Sequence, residues 1–283
     1  MNGFQVVSRK KKGKRKSTGA PDILVNTTLV SDNISETNLR RKVNLARDSI
    51  TCTDFYTDFK AKLKECLNKV PCIHHEETTE SQPKDQIQYV VPDEIVSYGL
   101  GNFAECLIAR YQLALLVALR DDLQVPPNNV LLYDPKFLSV EKDVLTSFGF
   151  QVLKENEEAK RCCERPTLFY MPHCGKSLYN NLLFANWSPD RLCHVVIIGN
   201  SFTNMVQNLP SSTLKRCAPL VMNIQPFTEE VVFPGNFQYQ DVFNDTVIHV
   251  FPKDNLSKTA VEFWEDCSTP TYDEDDLEFI PKS

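Results

Sequence analysis

A succession of short, Val/Ile/Leu-rich runs, most of them closed by a Gly, Pro or Asp turn, constrains this chain more than any other feature. The runs are Glu94–Tyr98, Val130–Tyr133, Phe150–Leu153, Thr167–Met171, His194–Ile198 and Thr246–Phe251. Their stops include Gly99, Asp134-Pro135, Pro172, Gly199 and Pro252. None alternates strictly between apolar and polar, the pattern of strands buried on both faces of a parallel sheet. Helical stretches alternate with them at Phe103–Leu119, Phe137–Phe148 and Lys176–Ala185. Strand–helix–strand repetition with right-handed crossovers gives an α/β fold: a Rossmann-like, doubly wound, mostly parallel sheet. Residues 88–253 are expected to form it.

The flanks read differently. Residues 1–35 open with a basic block over 9–16 and continue Ser-, Thr- and Asn-rich, a disordered arm. The block suits a solubilising tail, a nuclear-import signal or weak nucleic-acid contact; no aromatic residue interleaves it, which argues against base stacking and direct nucleic-acid binding. Residues 36–87 form a helical appendage and linker. Residues 36–48 fit a polar helix; Phe55, Phe59, Leu63, Leu67 and Val70 make one stripe that should pack on the main domain. His74–Lys84 is a charged loop. Residues 254–283 are an acidic tail.

Phe103–Leu119 is the longest apolar stretch, and Glu105, Arg110 and Gln112 interrupt it, so no membrane span is expected. The N-terminus lacks the apolar region of a secretory signal. Ten cysteines occur without a CxxC pair. Cys106, Cys174, Cys193 and Cys217 fall in or beside expected core, the usage of a reducing compartment, cytoplasmic or nuclear. Neither Cys72 with His74 and His75 nor Cys162-Cys163 has zinc-ligand spacing, and no metal site is expected.

In a sheet of this kind ligands bind at the carboxyl ends of the strands. Gly99-Leu100-Gly101-Asn102 allows a tight strand-to-helix turn and close approach to a ligand, but the third glycine of the dinucleotide fingerprint is missing: Ala104 is the small residue and Glu105 follows. A purely structural turn is the alternative. Gly101→Val should crowd it. Asp134 stands where methyl-donor and dinucleotide enzymes place a ribose-binding acid, though farther from the glycines than the roughly 20 residues of the fingerprint. It fits an Asx-turn equally well. Pro172-His173-Cys174 closes the fourth run. Cys174, near a helix N-terminus, would have a lowered thiol pKa and thiolate character. No acid pairs with His173. Gly199 and Asn200 complete the candidate ligand-binding set, and Ser201 is an N-cap. No complete catalytic constellation is present, so an enzyme is not favoured, and no cofactor is identified.

These same tips resemble a known family. Ser97–Phe103, Arg110–Ala114, Tyr133-Asp134-Pro135, Thr167–Cys174, Leu178–Leu183 and Val195–Ser201, in this order, are similar to the Sensitivity-to-Red-light-Reduced family over roughly residues 88–253. The resemblance implies regulation more than chemistry: light signalling and the circadian clock in plants, and haem biosynthesis and core clock gene expression in fungal and animal relatives. It transfers no catalytic residue. A neighbouring His173-Cys174 pair is no recognised haem signature. Partners implied are unidentified clock or haem regulators and a small molecule, with no membrane. The competing reading is an enzyme on the same sheet that binds S-adenosylmethionine or a nucleotide.

Overall fold

A computed structural model of the chain describes residues 35–72, 89–265 and 267–272. The expected basic arm up to residue 34, the His74–Lys84 loop and residues 273–283 of the expected acidic tail lie outside the described residues. The tail's first part is folded onto the domain instead, with Phe263 stacked on Trp187 and the Tyr272 hydroxyl donating to the Ser177 carbonyl and Asn181 Oδ1.

Two helices come first. In α1 (Glu36–Thr51), Ser35 caps the start by accepting from the Asn38 amide, and Leu39, Val43, Ala46 and Ile50 are buried. The expected polar helix is therefore three residues longer and amphipathic. Its spacing of four, three and four makes one apolar face, which lies against α3 (Leu107–Leu123) and α4 (Ser139–Ser147). In α2 (Asp54–Leu67), Thr53 is the cap and the expected stripe is buried. Phe55 and Phe59 meet Phe233, Phe237 and Phe243 with ring centroids 4.9–6.3 Å apart, in the range of favourable aromatic pairs.

Seven strands follow: β1 (Glu94–Tyr98), β2 (Val130–Tyr133), β3 (Gln151–Val152), β4 (Thr167–Met171), β5 (Val195–Asn200), β6 (Glu229–Val232) and β7 (Thr246–Val250). They form one sheet in the order β3-β2-β1-β4-β5-β7-β6. β1 to β5 are parallel, and β7 runs antiparallel to both β5 and β6. β6 has no counterpart among the sequence runs, because Glu229 and Glu230 make half of it polar. Glu230 is nevertheless held inward. Ser201 Oγ and the Thr203 amide donate to it, and His249 Nε2 lies 3.4 Å away. Burial pushes this carboxyl up, but those contacts outweigh it and hold the pKa at about 2.

Successive strand residues point to opposite faces. Ile95, Leu168 and Tyr170 join α1–α4 in one apolar cluster. Val96, Phe169 and Met171 join α5 (Lys176–Ala185) and the short helices α6 (Pro189–Leu192), α7 (Phe202–Asn208), α8 (Ser211–Cys217) and α9 (Pro219–Ile224) in a second. Helices on both faces make the sheet doubly wound, as expected. All ten cysteines are free thiols. Cys174, Cys193 and Cys217 are buried, but Cys106 is exposed: α3 begins at Leu107, not at Phe103, and Cys106 is its cap residue rather than part of its core. Among the described residues, no helix is long and apolar enough to cross a membrane.

Candidate functional site

The order of strands reverses between β1 and β4. Chain connections leave these two strands in opposite directions, and the crevice so opened is the expected ligand position of such a sheet. A cleft of about 780 Å³ lies there, within the roughly 300–1,000 Å³ of small-molecule sites. Gly99, Gly101, Asp134, His173, Cys174 and Asn200 line it. Asn102, Pro172 and Gly199 are not among its lining residues.

The turn after β1 is held from within. Gly99 has φ +67° and Gly101 φ +81°, so both need the left-handed region. The Gly101 amide donates to Asp134 Oδ2 at 2.7 Å, and the Ala104 amide to Glu141 Oε1 at 2.7 Å. Asn102 accepts from the Glu105 amide through its side chain, at 3.1 Å, and from the Cys106 amide through its carbonyl, at 3.0 Å. Arg110 donates to the Phe103 and Ala104 carbonyls. Glu141 sits at the third position of α4 and also takes the Leu138 amide at 2.8 Å, the return half of a capping box. Burial raises its pKa, against the opposing pull of these amides.

The expected crowding belongs to Gly99 rather than Gly101. A Cβ on Gly101 would meet only the Ala109 Cβ, at 3.9 Å; one on Gly99 would stand 2.6 Å from Cys174 Sγ. The tips of β1 and β4 are that close, and Cys174 Sγ donates to the Tyr98 carbonyl at 3.1 Å. This overturns the thiolate reading of Cys174. The thiol is buried, its proton is engaged, and burial drives its pKa up rather than down. Proximity to α5 does not compensate, because desolvation of the anion dominates.

The turn after β4 presents rather than encloses. His173 is exposed with φ +58°, uncommon for a residue with a side chain. Asn200 holds it there: its Oδ1 accepts from the His173 amide at 2.8 Å, and its Nδ2 donates to the Cys174 carbonyl at 3.2 Å. Gly199 lets this happen. A Cβ there would lie 2.5 Å from the Tyr179 hydroxyl, which accepts from the Asn200 amide at 2.8 Å. The imidazole is oriented by Gln112, a buried polar residue in the otherwise apolar α3. Gln112 Nε2 donates to the Val242 carbonyl at 3.0 Å and lies 3.2 Å from His173 Nδ1. A carbonyl only accepts, so the Gln112 amide nitrogen faces it, and the same nitrogen meets the His173 ring at Nδ1.

Asp134 makes the expected Asx-turn, with Oδ1 accepting from the Lys136 amide at 2.7 Å. Its carboxylate thus joins two turns while lining the cleft. Sequence reasoning did not anticipate Gln112, Lys136 or the far wall formed by Asp241, Asn244 and Asp245. Gln112 had a usable signal, one uncharged polar residue inside an apolar helical run. The far wall had none, since it belongs to an irregular segment between β6 and β7. Ser201 is the cap of α7, accepting from the Asn204 amide at 3.0 Å.

The SRR1 domain family model matches residues 84–250. The SRR1-like protein of Mus musculus is 36% identical over 208 residues, covering 69% of this chain and 82% of the relative. Protein SENSITIVITY TO RED LIGHT REDUCED 1 of Arabidopsis thaliana is 31% identical over 220 residues, 76% of this chain and 75% of that protein. An SRR1-like protein of Drosophila melanogaster is 29% identical over 186 residues, 65% of each chain. No solved structure matches. The match to the SRR1 domain runs through the strands and turns that build the cleft, and the chain belongs to the SRR1-domain family.

Proposed function

We propose that this protein is a regulator, acting on core circadian clock gene expression and on haem biosynthesis through a small-molecule or partner site in the cleft between β1 and β4. Its place of action is the cytoplasm, and the nucleus where the basic block serves for import. The kinship with an Arabidopsis protein named for sensitivity to red light supports a regulatory role. The observation that carries the site is the cleft at the strand-order reversal, with His173 held outward by Asn200 and Gln112. His173 takes its ring contact from an amide, not from a carboxylate or a nucleophile, which fits recognition better than acid–base catalysis. An enzyme using S-adenosylmethionine or a nucleotide is the second reading, favoured by the Gly99/Gly101 turn beside Asp134.

Cells lacking the native protein, complemented with wild type, His173→Asn or Ile108→Trp, test the proposal. Asn tolerates the left-handed backbone at 173, and Trp at 108 fills the cleft wall. Clock-gene output and haem level should fall at normal protein abundance. Normal output at normal abundance for both variants would remove the cleft from the function.

A further inference from the structure

The glycine turn after β1 differs from a phosphate-binding turn in what its amides already hold. In dinucleotide-binding sheets these N–H groups and the helix behind them face the pyrophosphate. Here the Gly101 and Ala104 amides are each taken at 2.7 Å by a carboxylate, Asp134 and Glu141. The Glu105 and Cys106 amides are taken by Asn102. A phosphate brought to this turn would meet carboxylates where it needs donors. The rest of the cleft has the same sign: Asp134, Asp241 and Asp245 line it against one ammonium, Lys136.

Beside Lys136 and the His173 edge, the cleft offers mainly acceptors and apolar surface. Each oxygen of Asp134 accepts one backbone N–H and keeps a second lone-pair site. A carboxylate at the end of β2 therefore suits hydroxyl donors, the chemistry of a ribose diol. Tyr98, Tyr133, Ile108 and Leu178 supply aromatic and aliphatic lining for a planar base. The carboxylates of the far wall attract a positive end group.

We infer that the cleft selects a phosphate-free nucleoside bearing a positive charge, the S-adenosyl sulfonium class, and rejects nucleoside phosphates. The inference rests on the cleft being the ligand site, and it chooses between the two ligand classes that the glycine turn alone leaves open.

Calorimetric titration of the full chain with S-adenosylmethionine, ATP and NAD tests it. S-Adenosylmethionine should bind at least about tenfold more tightly than either phosphate compound and raise the Tm. Ile108→Trp, or Leu178→Trp should the first fail to fold, should abolish that binding with the unliganded Tm preserved. Asp241→Asn should narrow the margin over ATP by about threefold, through loss of one repelling charge. ATP or NAD binding as tightly as S-adenosylmethionine, and lost in the cleft-filling variant, would overturn the inference while leaving the cleft a ligand site. Binding of none of the three at millimolar concentration would overturn it together with the small-molecule reading of the cleft.

Discussion

The turn after β1 and the turn after β4 sit side by side at the middle of the sheet, and they use their polar groups in opposite ways. From Gly101 to Cys106 the first turn directs amides to Asp134, Glu141 and Asn102 and its carbonyls to Arg110. The second places an exposed imidazole on a left-handed backbone and braces it from α3 and β5. The first is a frame and the second a presenting edge. Two turns with similar outward logic in the sequence, glycines in one and a His-Cys pair in the other, therefore differ in what they leave available to a ligand.

The frame should be the sensitive half. Glu141→Ala leaves the buried Ala104 amide and the part-buried Leu138 amide without acceptors, and should lower unfolding free energy by about 3 kcal/mol in denaturant. Glu141→Gln, which keeps one carbonyl acceptor, should lose less. If Glu141→Ala unfolds at the wild-type midpoint, the first turn is not held by its carboxylates and the contrast fails.

Gly99→Ala should come next, at about 2 kcal/mol, because it adds left-handed strain and the 2.6 Å contact with Cys174 Sγ. Cys174→Ala in the same chain should recover about 1 kcal/mol of that loss. A double-mutant cycle with no coupling would show that the two strand tips do not touch as described.

A third test uses acid and the neighbouring β5 tip. Glu230 has its pKa held at about 2, below the ordinary 4.5. A depressed carboxyl contributes stability above its unfolded value and loses it as pH falls through the folded one. Wild type should therefore lose Tm between pH 4.5 and 2, and Glu230→Gln should lose less over that window. Parallel acid limbs would remove Glu230 from the bracing of this tip.

The smallest change in stability is expected on the presenting edge. His173→Gly relieves the positive φ while removing the imidazole, so its unfolding free energy should stay within about 0.5–1 kcal/mol of wild type or rise slightly. Ligand binding should fall. A large destabilisation would make His173 part of the frame.

The α/β class, the doubly wound sheet and the stripe of α2 follow from the sequence because burial periodicity is local: strand runs and an i, i+4 face are written in consecutive residues. Asp134 as an Asx-turn and Ser201 as a cap were legible for the same reason, since each bonds a neighbour two or three positions on. The state of Cys174 was not, because it depends on how closely β4 approaches β1, and burial there outweighs the nearby helix terminus. The role of Glu141 was not legible either, because its carboxylate meets the Ala104 amide only once α4 has folded against the glycine turn. Gln112 and Val242, 130 positions apart, meet only in the folded chain. The sequence by itself determined the five parallel strands, most of the helices between them and which tips gather at one end of the sheet, but not β6 or the start of α3. Only the tertiary structure decided which of those polar groups are consumed by the fold and which face the cleft, because hydrogen-bond partners and desolvation are set by contacts between residues far apart in the chain.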